Sequence, residues 1–300
     1  MKTTQLGTRI AIKNILYLTD FSESAAAALP FATALAREYG AVVHARHVLV
    51  PAPYIYTTPE LTIAAIDAEV ENAREQMERV DSRLAGVPHD VSIIRDASVR
   101  EALDLGVANG ADMIVVGTHG RTGARKLVLG SVAEDILRRS PVPVLTIGPW
   151  ARNCPQMSRG FVRVLFATDF SPQSLAAAPY AISLAEENRA ELILLHAIPR
   201  PPKKEEEEYA KHSVANALHR LWELVPRDVE LWCRPEAVVE FGDPSQQILR
   251  VAEERQADLI VLGVHDTTGD LGAAIHLGTS IAHKVVAHAD CAVLTVRGDG

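Results

Sequence analysis

The sequence predicts two tandem α/β domains, each a doubly wound, five-stranded parallel sheet. Three observations carry this. First, the chain is written twice: "NILYLTDFSESAAAALPFATALAREYGAVVHARHVL" returns as "RVLFATDFSPQSLAAAPYAISLAEENRAELILLHAI", so that Asp20 matches Asp169, Pro30 matches Pro179 and His47 matches His196, each pair 149 residues apart. That period is far too long for a solenoid and suits duplicated domains, and 300 residues is about twice an ordinary domain length. Second, the apolar runs are short and nearly continuous in β-branched residues rather than alternating, as parallel strands buried on both faces require. Third, each run is followed by a helical pattern, the order that builds crossover connections.

In the first half, strands are expected at Ile15–Thr19, Val42–Leu49, Val91–Ile94, Met113–Val116 and Val144–Ile147. Ser22–Tyr39 reads as a helix capped by Ser22. Thr58–Ala85 reads as a longer amphipathic helix with Pro59 in its first turn, where a missing N–H costs nothing. Its apolar stripe, Leu61, Ala65, Met77 and Leu84, is assigned to the core. Val99–Asn109 and Ser131–Arg139 complete the helices. Pro30 and Pro179 sit inside helical patterns and predict kinks. The stretch Trp150–Gly160 lacks periodicity, so the domains are set at 1–149 and 161–300 with a linker at 150–160. In the second half, "ADLIVLGVHD" answers "ADMIVVGTHG" and "CAVLTV" answers "VPVLTI"; the run "KKEEEEY" reads as the solvated start of its long helix.

Composition narrows the function. A net charge of −8 argues against coating a nucleic acid. The three cysteines, Cys154, Cys233 and Cys291, are far apart and form neither a CxxC pair nor a disulfide framework. The N-terminus has no long apolar segment and no run of about 18 apolar residues occurs, so a soluble, cytoplasmic protein without membrane or nucleic-acid partners is expected.

The stretch "GTHGRTGARKLVLGS", Gly117 to Ser131, carries the chemistry. Gly117 follows a buried strand, and Gly130-Ser131 precedes a helix. A helix N-terminus presents unpaired N–H groups and partial positive charge, and glycine lets backbone approach an anion closely. Ser131 is placed to cap the helix or donate to a phosphate oxygen, and Arg121, Arg125 and Lys126 add charge. A glycine-rich turn with ordinary capping would share this pattern. No Walker A, GxGxxG, GxSxG or HExxH motif competes with it.

The spacing G-x2-G-x9-G-[S/T] after a strand, with "TDFS" ending the first strand and "HV" the second, resembles the universal stress protein family across both halves. The resemblance implies a Rossmann-like, adenine-nucleotide-hydrolase-like fold that binds ATP, alone or with Mg²⁺. Carried over by motif, Leu18, Thr19 and Asp20 lie at the adenine–ribose end. Val48 meets adenine through its backbone, Val116 and Gly117 flank the ribose, and Gly120, Gly130, Ser131 and Val132 hold the phosphates. Leu18 stands where the family often has proline. The second half keeps Asp169, Ala197, Leu262 and Gly263, but Asp266 replaces the second glycine. Gly263 to Gly278 is 15 residues against 13 from Gly117 to Gly130, and Asp270 adds a second carboxylate. Weak or no nucleotide binding is therefore expected there, with Gly278, Thr279 and Ser280 keeping at most a small anion site.

No catalytic residue and no metal site is assigned. His47 and His196 are expected to bond backbone locally, His119 and His265 to pack in loops, and His212 and His219 to lie at the surface. His276, His283 and His288 lack the i,i+4 spacing of paired ligands on one helix face. The very apolar last strands predict an intrachain pseudo-dimer, with further dimerisation of chains as the alternative. The function expected is an adenine-nucleotide-binding stress or signalling module with a partner the sequence does not name. Its rivals are a slow ATPase or nucleotidyl-transfer enzyme using Asp20 or His119, and a scaffold whose second half holds a different, apolar ligand.

Overall fold

Ten strands and nine helices are found among the described residues of a computed structural model, namely 9–49, 59–95, 98–118, 129–148, 151, 160–200, 206–225, 233–264 and 280–298. In the first half, β1 (Asn14–Leu18), β2 (Val42–Val48), β3 (His89–Ile94) and β4 (Met113–Gly117) form a parallel sheet in the order β3-β2-β1-β4. The crossovers are α1 (Glu23–Tyr39), α2 (Pro59–Leu84) and α3 (Val99–Ala108), and α4 (Ser131–Arg139) follows β4. One compact unit comprises the described residues of Ala11–Arg125 and Gly130–Val144.

Each helix forms for a local reason. Ser22 caps α1 by accepting from Ala25 N, and Gly40 closes it in a left-handed conformation at φ 65°. Ser98 and Glu101 make a reciprocal capping box on α3. On one sheet face Leu16, Leu18, Ile114 and Val116 cluster with Leu103 of α3 and Ile136 of α4. Full burial of each such large aliphatic chain contributes about 2 kcal/mol. The core stripe assigned to α2 holds only in part. Ala73, Met77, Val80 and Leu84 are buried, but Leu61 is 53% exposed and Ile63 and Ile66 are also exposed. The C-terminal turns of α2 lie on β2 and β3, and its first turns carry their apolar residues into solvent.

The second half runs β6 (Arg163–Ala167), α5 (Pro172–Leu175), α6 (Ala178–Asn188), β7 (Glu191–Ile198), α7 (Glu206–Glu223), β8 (Glu236–Phe241), α8 (Pro244–Glu254), β9 (Leu259–Val264), α9 (Ile281–His288) and β10 (Ala292–Arg297). The other compact unit gathers the described residues of Leu145–Gly300 with Arg9, Ile10 and Leu129. It therefore contains most of β5 (Val144–Ile147), and its strand order is β5-β10-β9-β6-β7-β8. Thr146 Oγ1 donates to Val293 O at 3.0 Å, tying the last strand of the first half to the last strand of the second.

The duplicated prolines are handled differently. Pro30 stays inside one continuous helix. It cannot donate to Ala26 O, and Arg83 Nη2 donates to that carbonyl instead at 3.2 Å. In the second half the helix is interrupted after Leu175 and resumes at Ala178, so Pro179 falls in a first turn, where no donor is required.

Candidate functional site

The chain leaves β1 through "TDFS", and every residue of that turn is tied down. Thr19 N donates to Arg46 O at 3.0 Å, continuing the β1–β2 pairing by one residue. Phe21 N donates to Thr19 Oγ1, and Ser22 N donates to Asp20 Oδ1, both at 3.0 Å. Phe21 sits at φ 64°, an uncommon conformation for a bulky side chain that persists only where its surroundings enforce it. The enforcing group is His47, whose ring lies 4.2 Å from the Phe21 ring and whose Nδ1 donates to Thr19 O at 2.8 Å. His47 does bond backbone, but across to the neighbouring strand end 28 residues away rather than locally.

The same construction appears in the second half. Phe170 is at φ 63°. Its N donates to Thr168 Oγ1 at 2.9 Å, and His196 Nδ1 donates to Thr168 O at 2.8 Å. Here the Arg220 guanidinium covers the Phe170 ring at 4.0 Å, adding a cation–π contact.

At the next strand end, Gly117 has an immediate structural cause. A Cβ there would lie 2.5 Å from Ser24 C and 2.6 Å from Ala25 N, so its absence lets α1 seat against β4. Gly263 repeats this, with Gln173 O and Ser174 Cα each 2.3 Å from where its Cβ would be. Beyond Gly117, Gly130 N donates to the buried Thr118 O at 2.8 Å and brings the start of α4 back to the carboxyl end of β4. Gly130 is the N-cap of α4, with φ −62° and ψ 143° and no side-chain cap bond. Ser131 is therefore the first helical residue rather than the cap. Side chains of Ser22, Ser98, Ser171, Asp243 and Ser280 each cap a helix elsewhere. At α9 the Ser280 side chain accepts from His283 N at 3.1 Å, so the second half occupies with its own hydroxyl an amide that the first half's glycine cannot reach.

The carboxyl ends of β1 and β4 are adjacent, with Leu18 opposite Val116. The side chains of both are buried in the apolar cluster, so only their backbones face the strand ends. Thr19 is buried and Asp20 half-buried. Val48 ends β2 beside Ile94. Val132 is 41% exposed in the first turn of α4, as Ile281 is in α9 at 44%. Gly120, His119, Arg121, Arg125 and Lys126 lie outside the described residues, as do His265, Asp266, Asp270, His276, Gly278 and Thr279. His212 and His219 are exposed, the latter 3.4 Å from Glu223. Among the described residues no group of three His, Cys, Asp or Glu side chains is placed to hold a metal ion, and no helix is long and apolar enough to cross a membrane.

The sequence reading missed the role of the two phenylalanines. The signal was present: an aromatic between a strand end and a capping serine, repeated with the same 28-residue Thr-to-His interval in each half.

The model of the Universal stress protein family matches residues 11–148 and again 160–297. A universal stress protein of Mycolicibacterium smegmatis is 28% identical over 297 residues, covering 94% of this chain and 96% of the relative. One from Thermus aquaticus is 33% identical over 141 residues, 46% of this chain and 99% of the relative. The crystal structure of a universal stress protein from Archaeoglobus fulgidus aligns with a TM-score of 0.67 at 20% identity, covering 95% of this chain and 98% of that one, and shares its fold.

Proposed function

The chain belongs to the universal stress protein family, and from that premise we propose that its first half binds an adenine nucleotide and that the protein acts as a stress-response module whose conformation or assembly follows nucleotide occupancy. The observation that carries the reading is the convergence of two unlike features at the adjacent ends of β1 and β4. One is the locked Thr19–Asp20 turn. The other is the glycine-capped start of α4, drawn in by the Gly130–Thr118 bond. In open α/β sheets, ligands occupy this crevice outside the strand ends. A helix start without a side-chain cap leaves its first amides for ligand oxygens.

In this reading Leu18, Thr19 and Asp20 border the adenine and ribose, and the Val48 backbone reads the base. Val116 and Gly117 flank the ribose. Gly120, Gly130, Ser131 and Val132 hold the phosphates of ATP. The second half contributes no ordinary nucleotide site, because Ser280 caps its own helix and Asp266 stands in place of a glycine. A carboxylate at that position repels phosphate.

The test is nucleotide released from purified protein, identified and counted per chain, with Gly130→Glu as the disrupting variant. Loss of bound nucleotide in that variant supports the reading. Unchanged occupancy overturns it.

A further inference from the structure

The second half holds a cavity of about 440 Å³ at the carboxyl ends of β7 and β8. In the order β9-β6-β7-β8 this lies one strand outward of the β6–β9 switch point, at the strand ends that correspond to β2 and β3 of the first half. Its volume falls within the range of small-molecule sites. Pro199 and Pro244 wall it and carry no N–H, and Gly242 N donates to Ile198 O at 2.9 Å, fastening the two strand ends together.

The polar lining is oriented before any ligand arrives. Gln247 Oε1 accepts from Arg250 Nε at 3.0 Å. Arginine only donates, so this contact fixes which end of the amide is oxygen and leaves Nε2 as the exposed donor. That Nε2 sits at the Gly242 rim, 2.8 Å from where a Cβ on Gly242 would be. Arg250 is itself held, with Nη1 2.7 Å from Glu254 Oε1 and Nη2 2.7 Å from Glu240 Oε2. Glu240 and Glu254 thus position Arg250, and Arg250 positions the donor of Gln247.

Arg200 lines the same cavity and is exposed. The helix start adds nothing, because Asp243 Oδ1 already takes Gln246 N at 3.1 Å and Ser245 Oγ at 2.5 Å. The other carboxylate oxygen, Oδ2, lies 4.0 Å from Lys284 Nζ. Arg200, Lys284 and Arg250 balance Asp243, Glu240 and Glu254, so the charges around the crevice sum to zero, and Arg200 is the cation in its lining. The available groups are thus two donors suited to a carboxylate and one carboxylate suited to a hydroxyl.

We infer that this crevice binds a small hydroxycarboxylate, its carboxylate on Arg200 and Gln247 Nε2 and its hydroxyl donated to Asp243. The site is independent of the nucleotide reading of the first half. A nucleoside triphosphate carries several negative charges, more than the single lining cation Arg200 can balance.

The experiment is an NMR titration of the ¹⁵N-labelled full chain with L-lactate, following the Gly242 amide and the Gln247 side-chain amide. Inorganic phosphate and sodium chloride are titrated in parallel at matched ionic strength. Saturable movement of both signals with lactate is expected, about tenfold weaker in Arg200→Gln and absent in Gln247→Glu, since a charge-assisted pair is lost in one and a like charge is introduced in the other. Arg250→Ala should weaken binding by freeing the Gln247 amide, while thermal unfolding of Arg200→Gln stays unchanged. Movement that does not saturate, that persists in Gln247→Glu, or that phosphate or sodium chloride reproduces equally would overturn the assignment.

Discussion

Replacing Gly117 by alanine isolates the contact that seats α1 on β4. The added Cβ would lie 2.5 Å from Ser24 C, 2.6 Å from Ala25 N and 2.8 Å from Ser24 O. Ordinary carbon contacts are about 3.5–4.0 Å, so the start of α1 must retreat by about 1 Å. All three obstructing atoms are backbone, and no rotamer change relieves them. That turn is also held by the Ser22 cap and by Tyr17 Oη donating to Ala25 O at 2.7 Å. Overpacking of this kind costs about 1–3 kcal/mol, and the rigid surroundings place this case near the top. The loss of glycine's unfolded-state freedom returns about 0.5–1 kcal/mol, leaving a net loss of about 2 kcal/mol. Gly40→Ala is the control: its φ of 65° is unfavourable for alanine, but nothing lies within 4 Å, so only about 1 kcal/mol is expected. Urea unfolding followed by circular dichroism gives the comparison. Hydrogen exchange at Met113–Val116 localises it to β4, because a chain of two compact units need not unfold in one step. A Gly117→Ala loss no larger than that of Gly40→Ala would refute the close-approach argument.

Three further outcomes follow from the same geometry. His47→Ala, which removes the bond to Thr19 O and the stacking on Phe21, should weaken nucleotide binding by about tenfold in calorimetry, whereas His196→Ala should leave it unchanged. Burial pushes the Tyr17 phenol up to about 12 from 10.0. The fold therefore favours the neutral phenol: its contribution is intact below pH 10 and is lost as pH rises through 10 to about 12, a fall of about 2–3 kcal/mol that Tyr17→Phe should lack in pH-dependent unfolding. Asp258, only 3% exposed, accepts from Val162 N at 2.6 Å and Arg163 N at 3.0 Å, so Asp258→Ala strands two amides and should cost about 3 kcal/mol in chemical denaturation.

The strands were legible because buried parallel strands must be continuously apolar: Val144–Ile147 matches its expected bounds, and Met113–Gly117 extends them by one residue. Helix α4 was legible from the Gly130-Ser131 pair at its start, but which residue caps it was not. Capping depends on one residue's backbone angles, and adjacent Gly130 and Ser131 both satisfy the sequence rule. The exposure of Leu61 was hidden for another reason. Apolar spacing reports a helix face, and it does not report how far the supporting sheet reaches beneath it. The long-range bond of His47 was equally invisible in a local reading, because it joins the ends of two different strands. At the site, residue types and their convergence were legible, while the reason for Gly117 was not: its glycine answers first to helix α1.

The duplicated fold is proposed to hold a single nucleotide site. Counting adenine nucleotide bound per chain at saturation, by equilibrium dialysis of the full-length protein, tests it most directly. One nucleotide per chain is expected, lost in Gly130→Glu. Two per chain, or one that survives Gly130→Glu, would contradict it.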